Sequence, residues 1–380
     1  MLRLHIALVA AVSATALSAQ SVVCVDQSGS GDFADLGSAV AAASAGDTIL
    51  IKPGSYDGVA VDKALHLVAD GPGVLVRSGM QITGIQAPDC VTVNGIAGNS
   101  GITFFGLTIS DCSGTVWVDS YEANNLLFTG IFVTNSDRVI LVDCEATGGR
   151  CAGLSVSDSN VFLQGGTFTG GQQDTTLDGL AGLEASNSTI DLVGTSLRGG
   201  NGGIFAGNVG DGGNGLELLA GSTVNARELD ATGGAGGIDF LSMTFGAPGV
   251  PFEVDPSSSL SVAAGPTHDL EVDQIARVGD AVAYRVLGPA GHLVALNFAF
   301  DPDPFYLDLA QGSIVTGVPV VSVPLGSLGA AGSLVVPTTA GPLGLPDSLS
   351  LFVQVVALDP QAPAVYTGFG RPITLLSPGF

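Results

Sequence analysis

The sequence predicts an all-β protein: a right-handed parallel β-helix with an N-terminal capping helix, followed by a small antiparallel β-sandwich. Three observations predict it. Four segments, starting at Val139, Val161, Ile190 and Val224, each run nine residues from a β-branched start to a Gly-Gly pair. Glycine reaches 56 of 380 residues while charged residues fall to 12%, a composition suited to short stacked strands and tight turns. From about residue 265 the Gly-Gly rhythm gives way to longer Val/Leu-rich runs between Pro and Gly turns, the pattern of a sandwich.

The segment starts lie 22, 29 and 34 residues apart, and Gly153-Leu154, Gly182-Leu183 and Gly215-Leu216 each open a further strand before the next segment. Such self-similarity marks a solenoid, in which a coil buries its inward side chains only by stacking on its neighbours. Gly-Gly is expected to supply positive φ at a sharp corner. The extra residues of the longer coils, 172–178 and 201–214, are expected as loops leaving one face. Earlier coils are carried by short apolar runs at 48–51, 59–61, 65–68, 74–76, 91–93, 102–105 and 116–118. Residues 32–45 predict one helix, because Phe33, Leu36, Val40 and Ala43 recur at helical spacing between a capping Asp32 and Gly46. It would close the open end of the solenoid core.

The ends and the charge set further bounds. Residues 1–19 read as a secretory leader: a basic start at Arg3 and His5, an apolar run over 6–12, then small residues to Ala19. With no later run of eighteen apolar residues, no transmembrane segment is expected. Residues 20–247 then form the β-helix, 248–264 a Pro-containing linker, and 265–380 the sandwich module. A formal net charge of −24, with only 11 scattered Lys and Arg, excludes a nucleic-acid partner and disfavours anionic membrane. No cofactor is expected, except that turn aspartates such as those of Asp301-Pro-Asp-Pro304 suit weak extracellular Ca²⁺. The five cysteines follow the leader, and an odd count leaves at least one unpaired. Cys90 and Cys112 fall about one coil apart, as a bridge or as stacked buried thiols; Cys144 and Cys151 are the better disulfide pair.

The string Val25-Asp-Gln-Ser-Gly-Ser-Gly-Asp-Phe33, then Ala39-Val40, Gly46-Asp-Thr-Ile-Leu-Ile-Lys-Pro-Gly-Ser-Tyr56 and Leu65-His-Leu67, resembles the opening of pectinesterases and, more broadly, the pectin lyase-like β-helix superfamily. That superfamily holds polysaccharide lyases, hydrolases, esterases and non-catalytic binding proteins, so the resemblance implies fold more than activity. Gln172-Gln-Asp-Thr-Thr176 is similar to the family's Gln-Asp-Thr-Leu segment, and Thr189-Ile-Asp-Leu-Val-Gly194 to its Asp-Phe-Ile-Phe-Gly segment. The resemblance implies Gln173 as oxyanion donor, Asp174 as acid and Asp191 as nucleophile. The Phe-Ile-Phe core is missing, however, and no Gly-Arg-Pro-Trp string follows; Gly370-Arg-Pro372 lies in the other domain. Asp191 also shares a repeat column with Phe162 and Asn225. Gly237-Ile-Asp-Phe240 is a weaker second candidate. Trp117, with Tyr121 nearby, suits either core packing or stacking on a sugar ring.

Two functions follow as expectations. The first is a secreted β-helix that binds or displays at the cell surface or in the matrix, toward a polysaccharide or other surface component, without catalysis. The alternative is a carbohydrate-active enzyme, a pectinesterase-like esterase or polysaccharide lyase acting on an acidic polymer. The negative field counts against a polyanionic ligand.

Overall fold

The computed structural model describes residues 20–99, 106–124, 127–172, 177–205, 208–240, 243–307, 310, 312–318, 320–341, 347–362 and 364–380. The leader 1–19 and the strand expected over 102–105 lie outside them.

The chain winds as a parallel β-helix, each coil giving one strand to each of three sheets. One coil runs through Arg138–Val142, Glu145–Thr147 and Leu154–Ser157, the next through Asn160–Gln164, Thr167–Thr169 and Leu183–Ser186. Their registers are parallel, with Val139 beside Val161, Ala146 beside Phe168 and Leu154 beside Leu183. Among the described residues the first sheet has ten strands and the other two eight each. Alternation explains the core. In the first sheet Val116, Val139, Val161, Ile190 and Val224 form one buried inward column and Val118, Leu141, Leu163, Leu192 and Ala226 the next. Rungs about 4.8 Å apart make these columns continuous.

The three corners are built differently. From third sheet to first, the turn is made by Asp111, Asn135, Asp158 and Asn187, with φ of 56°, 47°, 50° and 48°. Asn and Asp enter this left-handed region more readily than other side chains. The amide of Asn135 donates to Asp111 at 2.7 Å and that of Asn187 to Asp158 at 2.7 Å, tying coil to coil. A serine ladder follows, in which Ser136 N–H donates to Ser159 Oγ at 3.0 Å and Ser159 N–H to Ser188 Oγ at 3.2 Å.

The Gly-Gly pairs stand at the corner from second sheet to third, and their reason is not the expected one. None of Gly148, Gly149, Gly170, Gly171, Gly199, Gly200, Gly233 and Gly234 has a positive φ. Instead the extra residues pack backbone on backbone into an array: Gly200 N–H donates to Leu180 O (2.8 Å), Gly213 to Gly200 (2.8 Å), Gly234 to Gly213 (2.8 Å) and Gly249 to Gly234 (2.9 Å). A methyl group on Gly171, Gly200 or Gly234 would overlap the carbonyl of Gly149, Gly171 or Gly200. From the array rise two short hairpins, Ile204–Phe205 with Asn208–Val209 and Ile238–Asp239 with Thr244–Phe245.

Several expectations are corrected. The helix is shorter, Leu36–Ala42, because Asp35 caps it through a 2.7 Å bond from Ser38 N–H, while Asp32 accepts from Cys24 N–H at 2.9 Å. It does bury Leu36, Ala39 and Val40 against the first coils. Segment 248–264 adds solenoid rather than linker: Phe252–Val254 pairs parallel with Leu216–Leu219, and Ser259–Ala263 with Thr223–Arg227. All five cysteines are free thiols. Cys90 lies beside Thr115, not Cys112, since the coil is three residues longer than the cysteine spacing. Cys144 points into the core, whereas Cys151 lies past the strand Glu145–Thr147 at the glycine corner, where its carbonyl accepts from Gly171 N–H at 3.0 Å.

The C-terminal module packs a three-stranded against a five-stranded sheet around Val286, Leu296, Val353, Val355 and Ile373. The pairs are antiparallel except Ile275–Arg277 with Ala364–Leu376. Asp301-Pro-Asp-Pro304, expected as a turn, runs instead into the strand Pro302–Leu307, which pairs with Gly312–Thr316.

Candidate functional site

The outward side chains of the solenoid's first sheet decide where the module goes. Trp117, Ile140 and Phe162 make an apolar column that continues, in register, into Asp191 and Asn225. Solvent would be a poor partner for the first three, and the module covers them. The Trp117 ring is fully buried against Phe352, centroids 5.1 Å apart, with Val315 beside it. Buried on both faces, strands such as Thr115–Asp119 read as continuous apolar runs.

Polar contacts complete the seam. Gly370 N–H donates to Gln164 Oε1 at 2.7 Å, and Arg227 donates to Thr367 O. Arg371 reaches down from the module to Asp119 at 2.9 Å, to Asp143, and to Asp269 at 3.5 Å. Burial opposes the guanidinium charge, yet the three carboxylates outweigh it and push the Arg371 pKa up. Burial pushes the Asp119 and Asp269 carboxyls up in turn, against the Arg371 charge.

A cleft flanks each edge of the covered sheet. The one beside Arg371, about 700 Å³, is lined by Asp70, Ser120, Asp143 and module residues 270–275. Three of its charged side chains belong to the seam: Asp143 meets Arg371, and Asp70 holds Arg277 at 3.0 Å and also Lys52, while Arg371 is shared with Asp119. The second cleft, about 570 Å³, opens along the corner where the chain enters the first sheet. On its solenoid side stand Asp137, Arg138, Asn160 and Thr189; Pro304 and Tyr306 of the module form the opposite wall, with Phe162 and Asp191 between. Asn160 and Thr189 are adjacent rungs of one column, which continues through Thr223 to Ser259. The cleft thus offers polar side chains repeating about every 4.8 Å beside an aromatic ring. Arg138 also approaches Asp303 at 3.6 Å.

Of the sequence candidates for catalysis, the structure describes Asp191. Asp191 is 4% exposed, accepts from Asn225 Nδ2 at 2.9 Å, and lies 3.4 Å from Ser313 Oγ of the module. Gln173 and Asp174 lie outside the described residues; their neighbours Gln172 and Leu177 sit at the glycine corner, away from the outer face of the first sheet. Ile238–Asp239 is in a hairpin at that same corner. Tyr121 is buried, donating to Gly106 O at 2.8 Å. Among the described residues no three His, Cys, Asp or Glu side chains gather as metal ligands, and no helix is long and apolar enough to cross a membrane. Sequence reasoning missed Arg371, Asn160 and Tyr306. The register of Asn160 was available from the repeat; the module residues that meet it were not.

No family model matches the chain, and no curated protein does. Solved structures similar to it include tailspike protein 2 from Escherichia coli O157:H7 bacteriophage CAB120, at 11% identity and a TM-score of 0.31, over 85% of this chain and 64% of that one. ORF18 of Geobacillus virus E2 matches at 10% identity and 0.26, over 86% and 68%. A superoxide reductase from Ignicoccus hospitalis matches at 15% and 0.17, over 29% and 80%. The chain spans under two thirds of the tailspike's length. The fold itself stands on the strand registers above.

Proposed function

We propose that this protein is an extracellular β-helix that binds carbohydrate, at a cell surface or in a matrix, through the cleft between Asn160 and Tyr306. The carrying observation is the polar column in register beside an aromatic wall. Linked pyranose rings repeat at a spacing close to that of the rungs, so successive sugars meet equivalent side chains. Hydroxyls pair with Asn160, Thr189 and Asp137, and a ring face lies on Tyr306. The net charge of −24 favours a neutral polymer over a polyuronate. Titration calorimetry with neutral and uronic-acid polysaccharides tests this. Neutral polymers should bind more tightly, and Asn160→Ala with Tyr306→Ala should cost about tenfold or more, near 1.4 kcal/mol. Absence of binding to both polymer classes ends the reading.

An enzymatic reading has one observation in its favour: Asp191 and Arg138 line the same cleft. It assigns Asp191, with Gln173 and Asp174, the esterase roles implied by the pectinesterase resemblance. Methanol release from methyl-esterified pectin that disappears in Asp191→Ala would support it; intact binding without turnover would leave the first reading alone.

A further inference from the structure

The solenoid's two ends are finished differently. At the proximal end the helix Leu36–Ala42 covers the core, and Leu36, Ala39 and Val40 are 1%, 0% and 4% exposed. At the distal end the core columns run out into solvent. Leu216 and Leu218, both 0% exposed, are followed on the next rung by Phe252 and Val254 at 40% and 39%; Ala226, at 4%, is followed by Val262 at 55%. These are inward-pointing side chains on which no coil of the described residues is stacked. Asp230–Thr232, Phe252–Val254 and Ser259–Ala263 are the terminal strands of the three sheets, so each also presents a sheet edge. The last hairpin adds Phe240, Met243 and Phe245 at 78%, 67% and 61% exposure.

We infer that this distal end is a self-association surface, covered by the same end of a second copy of this chain. Three features select that occupant. The first is area: with large apolar side chains presenting about 150–250 Å² each, the exposed fractions of these residues, together with Val250, amount to roughly 700 Å². That exceeds the patch of an ordinary monomer and approaches the roughly 800 Å² per partner of a stable pair. The second is charge: between residues 230 and 266 the charged side chains are Asp230, 3.5 Å from Arg198, with Asp239, Glu253 and Asp255, a sparse set for a chain of net charge −24, so two copies meet there with reduced repulsion. The third is closure. The proximal end is capped and offers no complementary core, so association runs distal end to distal end about a two-fold axis and stops at two. Ser259–Ala263 of one copy then lies antiparallel to the same strand of the other.

Sedimentation velocity of the full chain across micromolar concentrations tests the inference. The expected result is a reversible monomer–dimer equilibrium. Val262→Lys and, separately, Phe240→Asp weaken it roughly tenfold or more by placing like charges across the axis, with the thermal melt unchanged at concentrations where the wild type is monomeric, because both side chains are exposed in the single copy. Val318→Lys, on a module side chain 83% exposed, leaves it as it was. A chain that stays monomeric throughout, one that grows beyond two copies, or a dimer indifferent to both distal variants overturns the inference.

Discussion

The seam between module and solenoid and the glycine array at the opposite corner both hold distant segments together, by opposite means. At the seam, side chains do it: Trp117 on Phe352, Gln164 under Gly370, Arg371 among Asp119, Asp143 and Asp269. In the array there are almost no side chains, and the contacts are carbonyls and N–H groups of Gly171, Gly200, Gly213, Gly234 and Gly249 at close approach. The difference teaches what each can tolerate. A seam of side chains is sensitive to charge and to the loss of a partner. An array of backbones is sensitive chiefly to volume, and its few carboxylates, Asp178 and Asp211, serve as acceptors for the N–H groups of Asp211 and Ala247.

Volume should therefore have the largest effect. Gly200→Val places its β-carbon and two methyl groups against the carbonyls of Gly170 and Gly171, and the latter is held in place by the N–H of Leu180 at 2.9 Å. Ordinary overpacking costs 1–3 kcal/mol because side chains give way; here the expected loss is about 4 kcal/mol or more. Urea unfolding measures it, and hydrogen exchange should show protection lost over 199–215 while the seam stays closed. A loss under about 1 kcal/mol would mean the array is loose enough to open.

Next comes the removal of charge from the seam. Arg371→Met leaves Asp119, 0% exposed, without its cation, and breaking such a buried pair costs about 3 kcal/mol. Limited proteolysis should then separate the module from an intact solenoid. Asp119→Asn on top of Arg371→Met should recover part of the loss, because the remaining buried charge is gone.

The two regions were unequally legible. The coils could be read because strand alternation and the repeat are local: the inward column Val139, Val161, Ile190, Val224 stands in the sequence at visible intervals. The Gly-Gly pairs were equally visible, but their physical reason was not. A sequence shows that a Cβ is absent; it does not show whether the backbone needs left-handed φ or a neighbour needs the space. The third-to-first corner uses Asp111, Asn135, Asp158 and Asn187 for the first purpose, leaving the Gly-Gly pairs the second. The break expected at 248–264 rested on prolines, yet Pro248, Pro251 and Pro256 all flank the strands Phe252–Val254 and Ser259–Ala263 rather than interrupt them. The seam was illegible because its partners, Trp117 with Phe352 and Asp119 with Arg371, lie more than 200 residues apart and share no pattern. Asp191 shows the consequence: its column was correct, but what covers it comes from Ser313 of a module whose docking no local rule predicts.

Acid should distinguish the two regions with a smaller, graded effect. His66, on the covered face of the first sheet and bonded to Thr92 Oγ1 at 2.9 Å, is lowered by burial to about 4. His268, where the module begins, is lowered to about 4 by burial, with His292 and Arg227 adding to it. Because both folded values lie below the ordinary 6.5, the unfolded chain takes up protons first as pH falls. The stability these neutral rings allow is present above about 6.5 and is lost as pH drops through 6.5 toward 4, costing about 2 kcal/mol per ring at pH 5. Asp119 and Asp269, raised by burial, pull the other way as pH falls toward the ordinary carboxylate value, so a single histidine is best isolated by replacement. His66→Gln should flatten the slope of stability between pH 7 and 5 by about half. Hydrogen exchange at pH 5 should show the seam opening in the native protein and the glycine array unmoved; loosening of the array at the same pH would mean that the two regions are one cooperative unit, and that the contrast between side-chain and backbone adhesion does not divide this molecule.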